Sequence, residues 1–279
     1  MKNHFVDAIH TVELAAWDFD SYEFRPRLFD DRKVSEARGR VLGRQADLSS
    51  TALCEEETEL LLHSLDPHRS RHDLHVEMLG LEWSLGVVDL RRLLAFQRRL
   101  SFNESLPTLR VPAQNDWSGL VDIAFAPPRP VVYDLVHDEL RSIVTLQSTN
   151  PNVHLRVTGS PSAPLAVHAG SPFFEVAEYS GRWFLRDGYH RAYSLLRAGV
   201  FHLPAVIVRA RTLAELGAVL PRFFSEDVLL SDHPPFVSDF LDEALTIQYD
   251  RPQTIKTLRI MMEESIVARH SNQHLGAKV

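Results

Sequence analysis

Residues 181–191 read GRWFLRDGYHR, and this stretch decides what the centre of the chain becomes. Trp183, Phe184 and Leu185 form an apolar, strand-like run that stops at Asp187-Gly188. YHRAYSLLRAG then takes up helical spacing and closes on Gly199. At about 100° per residue, Ala192, Leu195, Leu196 and Gly199 share one stripe, while His190, Ser194 and Arg197 project from the other side and Arg191 falls at the edge. A short turn feeding a helix presents unpaired amides at the positive end of the dipole, and His190 and Arg191 add cation-capable side chains in its first turn. Gly188 permits a sharp turn and a close approach, and Asp187 is placed to cap the helix. The junction therefore suits an anion, although an Asp-Gly turn with a surface arginine describes the same residues.

Working outward, FFEVAEY and RWFLR around Ser180-Gly181 predict a hairpin. LPAVIVRA predicts a buried strand and TLAELGAVL a helix, so strand, turn, helix and strand make one unit. Upstream, VHLRVTG and PLAVHAG predict two further strands, and VHDELRSIVTLQ predicts a helix with Leu140, Ile143, Val144 and Leu146 near one side. LGLEWSLGVV is strand-like, DLRRLLAFQRRL is helical or turn-like, and the Pro-rich stretch around 107 to 130 implies loops. The first 77 residues read as mostly helical. They include a helix over TALCEEETELLLHSL with Leu53, Leu60, Leu61 and Leu65 on a buried side, then a polar boundary at DPHRSRHDLH. Two helices near PFVSDFLDEALTI and QTIKTLRIMMEESIVARH precede a polar, frayed end, SNQHLGAKV.

The segment WFLRDGYHRAYSLLRAGVFHLPAVIV resembles the core of the ParB and sulfiredoxin-like superfamily: a strand, a DGHHR-like or GGCHR-like turn, a helix, and a strand of vPviv character. LGVVDLRRLLAFQRRL is similar to the family's opening strand, which leads to a Gln-Arg pair. The resemblance implies an α+β fold, with a ParB/sulfiredoxin-like mixed-sheet core over 78–215, an insertion near 105–170, and helical additions over 1–77 and 216–279. It also implies a nucleotide (ATP, ADP or CTP) held with Mg²⁺ at Gly188, Tyr189, His190 and Arg191, with Gln97 and Arg98 near the pocket. Asp187 and His190 are then the candidate catalytic residues. Asp187 is equally suited to holding the metal, since an ion bridging phosphate oxygens needs a hard carboxylate, and to capping the helix.

Family members use this site for ATP-dependent repair of an oxidised cysteine, for a CTP-driven DNA clamp, or for phosphorylation of free serine. Tyr189 stands where sulfiredoxins carry their cysteine, which removes the redox chemistry. No GERR-like second phosphate motif or helix-turn-helix is evident, which disfavours the clamp. The expectation is a small-molecule kinase or NTP hydrolase acting on a small-molecule or protein substrate. The alternative is a non-catalytic DNA- or protein-interaction module, and a nuclease has the least residue-level support.

Composition sets the outer bounds. The 279 residues are 44% hydrophobic and 24% charged, the composition of a globular chain. The formal charge of -7 opposes non-specific attraction to nucleic acid. Neither a membrane span nor a secretory h-region is evident in the sequence, so a cytoplasmic protein is expected. A single cysteine, Cys54, excludes an intrachain disulfide framework and a cysteine-based zinc site. His68, His72 and His75 have zinc-like helical spacing but fit a polar loop, and Asp18 and Asp20 form a DxD pair that also fits a solvated turn. Arg91, Arg92, Arg98 and Arg99 around Phe96 either make a nucleic-acid surface or flank the buried face of Leu93, Leu94 and Phe96.

Overall fold

The protein is described by a computed structural model over residues 8–26, 31–45, 47–102, 109–128, 130–157, 164–218 and 223–266. The fold is mixed α+β. It divides into two compact units: one drawn from the segment ending at Pro130 together with Gly170–Gln253, the other from Val131–Ala169 and the segment beginning at Thr254.

In the first unit, strand β1 (Ala8–Leu14) is followed by helices α1 (Asp31–Leu42), α2 (Glu55–Arg69) and α3 (His72–Glu77). Strand β2 (Trp83–Asp89), a 3-10 turn over Leu90–Arg92, strands β3 (Leu94–Ala95) and β4 (Arg99–Phe102), and helix α4 (Trp117–Ala124) come next. The second unit contributes β5 (Asp134–Asp138), β6 (Ile143–Ser148), β7 (Val153–Val157) and β8 (Leu165–Ala169). The first unit resumes with β9 (Glu175–Tyr179), β10 (Arg182–Asp187), α5 (Tyr189–Arg197), β11 (His202–Arg209) and the short helices α6 (Leu213–Leu216) and α7 (Glu226–Leu229). A 3-10 turn over Val237–Leu241 leads to β12 (Thr246–Pro252), and β13 (Lys256–Met261) belongs to the second unit.

The core of the first unit is a five-stranded sheet in the order β2-β11-β9-β10-β3. The expected hairpin forms, with Phe184 opposite Ala177, and its two turn residues Ser180 and Gly181 have φ of 50° and 72°. Positive φ at both central positions matches the strand twist, as in a type I′ turn. β11 lies between parallel β9 and antiparallel β2, and Leu203–Val208 is buried throughout, as its near-continuous apolar run requires. Helix α5 buries Ala192, Leu195 and Leu196, and Val200 N→Leu195 O (2.9 Å) with Gly199 N→Leu196 O (3.0 Å) closes it in a Schellman motif.

Several expected helices are strands. The first 77 residues include β1, which pairs with β12 (Ala8 opposite Pro252) and β4 in a three-stranded sheet. In the expected helical C-terminal region, PFVSDFLDEALTI gives a 3-10 turn before β12, which pairs with β1, and QTIKTLRIMM gives β13, which pairs with β6. VHDELRSIVTLQ is a hairpin of β5 and β6: Asp138 accepts from Arg141 N (3.2 Å), Ser142 takes φ 52°, and the β-branched Ile143-Val144-Thr145 run extends. DPHRSRHDLH carries the end of α2 and the start of α3 rather than a loop, and Leu60 is 69% exposed although Leu61 and Leu65 are buried. The expected strands VHLRVTG and PLAVHAG form as β7 and β8. The terminal SNQHLGAKV and the end of the last expected helix lie outside the described residues.

Candidate functional site

The junction read from the sequence forms at the end of β10. Gly188 is the N-cap of α5 at φ 103°, ψ 22°, and no side chain caps the helix. A Cβ at Gly188 would lie 2.6 Å from Cδ2 of the fully buried Phe174, so this position requires glycine both for its backbone and for its packing. Asp187 does not take the capping role. Its Oδ2 accepts from Ser171 N (3.1 Å), an amide of the segment that precedes β9.

Each expected cofactor contact has a defined place. Tyr189 is buried, and its hydroxyl accepts from Phe96 N (3.0 Å) and Gln97 N (3.3 Å), so it ties the helix start to the residues that follow β3 instead of facing a ligand. Burial pushes its phenol further above the usual range. Arg191 is also committed: Nη1 donates to Pro172 O (2.7 Å) and Ile123 O (3.2 Å), and Nη2 donates to Phe173 O (2.6 Å). His190 is exposed, with its ring edge-on to Phe102 at 5.1 Å. The Gln97 backbone amide donates to the Tyr189 hydroxyl, and its side-chain amide donates to Arg99 O (2.6 Å). Arg98 turns elsewhere, to Phe223 O (3.2 Å) and Asp18 O (2.5 Å), over the Phe224 ring.

A residue the sequence reading missed completes the site. Glu175 lies directly across from Asp187 in the β9–β10 pairing, is 1% exposed, and forms an ion pair with Arg186. Burial pushes its carboxyl up to about 7 against the pull of Arg186, and the charge of Asp187 pushes the same way. Burial likewise raises Asp187, opposed by Arg191. A buried carboxyl and a partly exposed one, both with raised pKa values, beside an uncapped helix start can hold or pass a proton or share a cation. The available signal was a single acid inside the apolar run Phe173, Phe174, Glu175, Val176, Ala177.

Comparison with family models, curated proteins and solved structures finds no match to this chain. Its site is therefore described by its own geometry.

The other candidates resolve as structural features. His68 stacks on Phe125 at 4.5 Å from α2, whereas His72 and His75 belong to α3 and His75 meets the edge of Trp83, so the three do not converge. Asp18 pairs with Arg38 (2.7 Å) and Asp20 with Arg25 (2.7 Å) and Arg99, which ties the DxD acids to different arginines. Arg91 and Arg92 are half exposed and share Asp89, while Arg99 turns inward onto the buried Glu13, so the four arginines do not make one surface. Leu93, Leu94 and Phe96 are buried between them.

Glu175 gives a pH signature. Between about 4.5 and 7 the folded state keeps a proton that the unfolded chain has lost, so stability falls as pH rises through this window. The expected loss between pH 5 and pH 8 is about 2 kcal/mol from this group, and Glu175→Gln should remove it. Urea midpoints at the two pH values measure it; an equal pH dependence in both proteins would exclude Glu175 as its source.

Proposed function

We propose that the β10–α5 junction binds the phosphates of a nucleoside triphosphate or diphosphate, ATP, ADP or CTP, with Mg²⁺. The protein then acts as a small-molecule kinase or NTP hydrolase of ParB/sulfiredoxin-like type. The observation that carries the reading is the uncapped, glycine-opened start of α5 beside the Glu175–Asp187 carboxyl pair. Amides at a helix start suit phosphate oxygens, and a carboxylate next to them suits the bridging ion. The strand-turn-helix-strand order and the tie from Tyr189 to Gln97 also support it.

The roles fall to fewer residues than the resemblance alone implies. Gly188 turns the chain into the helix start, His190 supplies the accessible donor, and Asp187 the metal carboxylate. Tyr189 and Arg191 position the turn, since their polar atoms are engaged by backbone groups. Metal binding at Asp187 competes with the proton that its raised pKa favours, so the ion would bind more tightly as pH rises. The alternative is a DNA- or protein-interaction module in which the same pocket is structural or only senses nucleotide; Arg91, Arg92, Arg98 and Arg99 do not give it a single basic surface.

Thermal unfolding with ATP, ADP and CTP, each with and without Mg²⁺, tests the proposal. A nucleotide at 100 times its Kd is expected to add about 2.7 kcal/mol of stability. His190→Ala should weaken that gain, and Asp187→Asn should remove its Mg²⁺-dependent part. Unfolding temperatures unmoved by every nucleotide would sink the proposal.

A further inference from the structure

Away from the α5 junction, three potential ligands converge from separate positions in the first unit. Cys54 is the N-cap of α2, Glu57 lies in the first turn of that helix, and His202 is the first residue of β11. One donor atom from each lies within 4.8 Å of the other two, and all three residues are partly accessible. His202 Nδ1 is 3.1 Å from Glu57 Oε1. Among the described residues this is the set of histidine, cysteine and acidic side chains with metal-binding proximity.

The backbone holds this trio in place. Cys54 N donates to Val87 O (2.8 Å), Asp89 N donates to Ala52 O (2.8 Å), and Leu53 bridges Val88, which stitches the residues before α2 onto β2. The Thr58 hydroxyl donates to Cys54 O (2.7 Å) and accepts from Val87 N (2.8 Å). On the other edge of β2, His202 pairs with Asp89. The thiol makes no capping hydrogen bond, and its contact with Ala52 O is a long 3.8 Å.

We infer that Cys54, Glu57 and His202 form a binding site for a zinc-class transition-metal dication. Thiolate, imidazole and carboxylate together suit zinc or cobalt(II) and not magnesium or calcium, which take oxygen ligands. Bonds of about 2.0–2.3 Å place tetrahedral ligand atoms about 3.3–3.8 Å apart, so side-chain rotation of roughly 1 Å closes the trio on an ion. The fourth position is left for water or an exogenous ligand. Asp89 does not fill it, because its carboxylate accepts from Arg91 N (3.0 Å) and Arg91 Nη2 (2.8 Å). On binding, the thiol proton leaves to solvent and the sulfur–metal bond replaces it.

The same three residues could be taken for a thiol nucleophile with a histidine base, but His202 Nδ1 faces Glu57 Oε1 (3.1 Å) and the thiol faces Ala52 O (3.8 Å). A single cysteine thus does not exclude zinc, because the ligand set is mixed rather than built from cysteines.

Titrating cobalt(II) into the chelator-treated full-length protein tests the site. One equivalent should produce thiolate-to-cobalt charge-transfer absorption, which can arise only at Cys54 because the chain has one cysteine. Zinc should displace the cobalt and slow alkylation of Cys54 by iodoacetamide. Cys54→Ser should abolish the absorption, and His202→Gln should weaken cobalt binding by about 10-fold or more, with the fold of each variant checked by circular dichroism. Absence of the charge-transfer band at stoichiometric cobalt, or alkylation equally fast with and without zinc, would overturn the inference. If Cys54→Ser does not fold, an unchanged cobalt affinity in folded Glu57→Gln and His202→Gln would overturn it equally.

Discussion

Gly188→Ala is expected to lower the stability of the protein by about 3 kcal/mol and to abolish any nucleotide-induced rise in unfolding temperature. Two independent costs add. A residue with a Cβ held at φ 103° bears a left-handed strain of about 1–2 kcal/mol. The new Cβ also falls 2.6 Å from Cδ2 and 3.0 Å from Cε2 of Phe174, a ring that is fully buried and cannot swing away. Forcing a methyl into a packed site costs about 1–3 kcal/mol more. Relaxation would have to move β10 away from Phe174, which shifts the very amides proposed to meet the phosphates. Urea unfolding measures the first effect and thermal unfolding with nucleotide the second. A loss under about 1 kcal/mol with ligand response intact would mean that the turn relaxes without disturbing the helix start.

What could be read from the sequence was what neighbouring residues decide. The turn at Ser180-Gly181, the break at Asp187-Gly188 and the Schellman end at Gly199 depend on local backbone chemistry, and each forms where expected. Pairings between distant segments were not legible. β1 finds β12 across more than half the chain, and nothing in AIHTVEL announces a partner near Pro252. In VHDELRSIVTLQ, Leu140 fits a helical stripe, yet it is 100% exposed at the tip of a hairpin because the β-branched residues after it pair with β13. Local propensity yielded to a strand supplied from the far end of the chain.

The site follows the same division. Gly188 was legible because a sharp strand-to-helix turn needs it. The directions taken by Tyr189 and Arg191 were not, because their partners arrive from Phe96, Gln97 and residues 171–173. A helical wheel puts Arg191 at the edge of the buried stripe without saying what occupies that edge. Glu175 and Cys54 went unread for a related reason: their chemistry depends on Asp187 and His202, which only the sheet brings alongside.

Arg191→Ala is therefore expected to destabilise the protein by about 3 kcal/mol in the absence of any ligand. The guanidinium is 18% exposed and holds the carbonyls of Ile123, Pro172 and Phe173, so truncation leaves shielded acceptors without donors at about 1–3 kcal/mol for each that water cannot reach. Arg191→Lys should recover less than half of the loss, because an ammonium cannot span carbonyls on two sides as the planar fork does. A phosphate-binding arginine behaves in the opposite way: its removal leaves the free protein nearly unchanged and weakens nucleotide binding. His190→Ala is expected to show that second pattern, with stability changed by about 1 kcal/mol or less and the nucleotide response reduced. Urea unfolding without ligand and nucleotide titration at fixed temperature, applied to all three variants, separate the clamp from the contact. If Arg191→Ala unfolds like the wild type but no longer responds to nucleotide, the guanidinium leaves its carbonyls for the phosphate, and the roles assigned to residues 190 and 191 reverse.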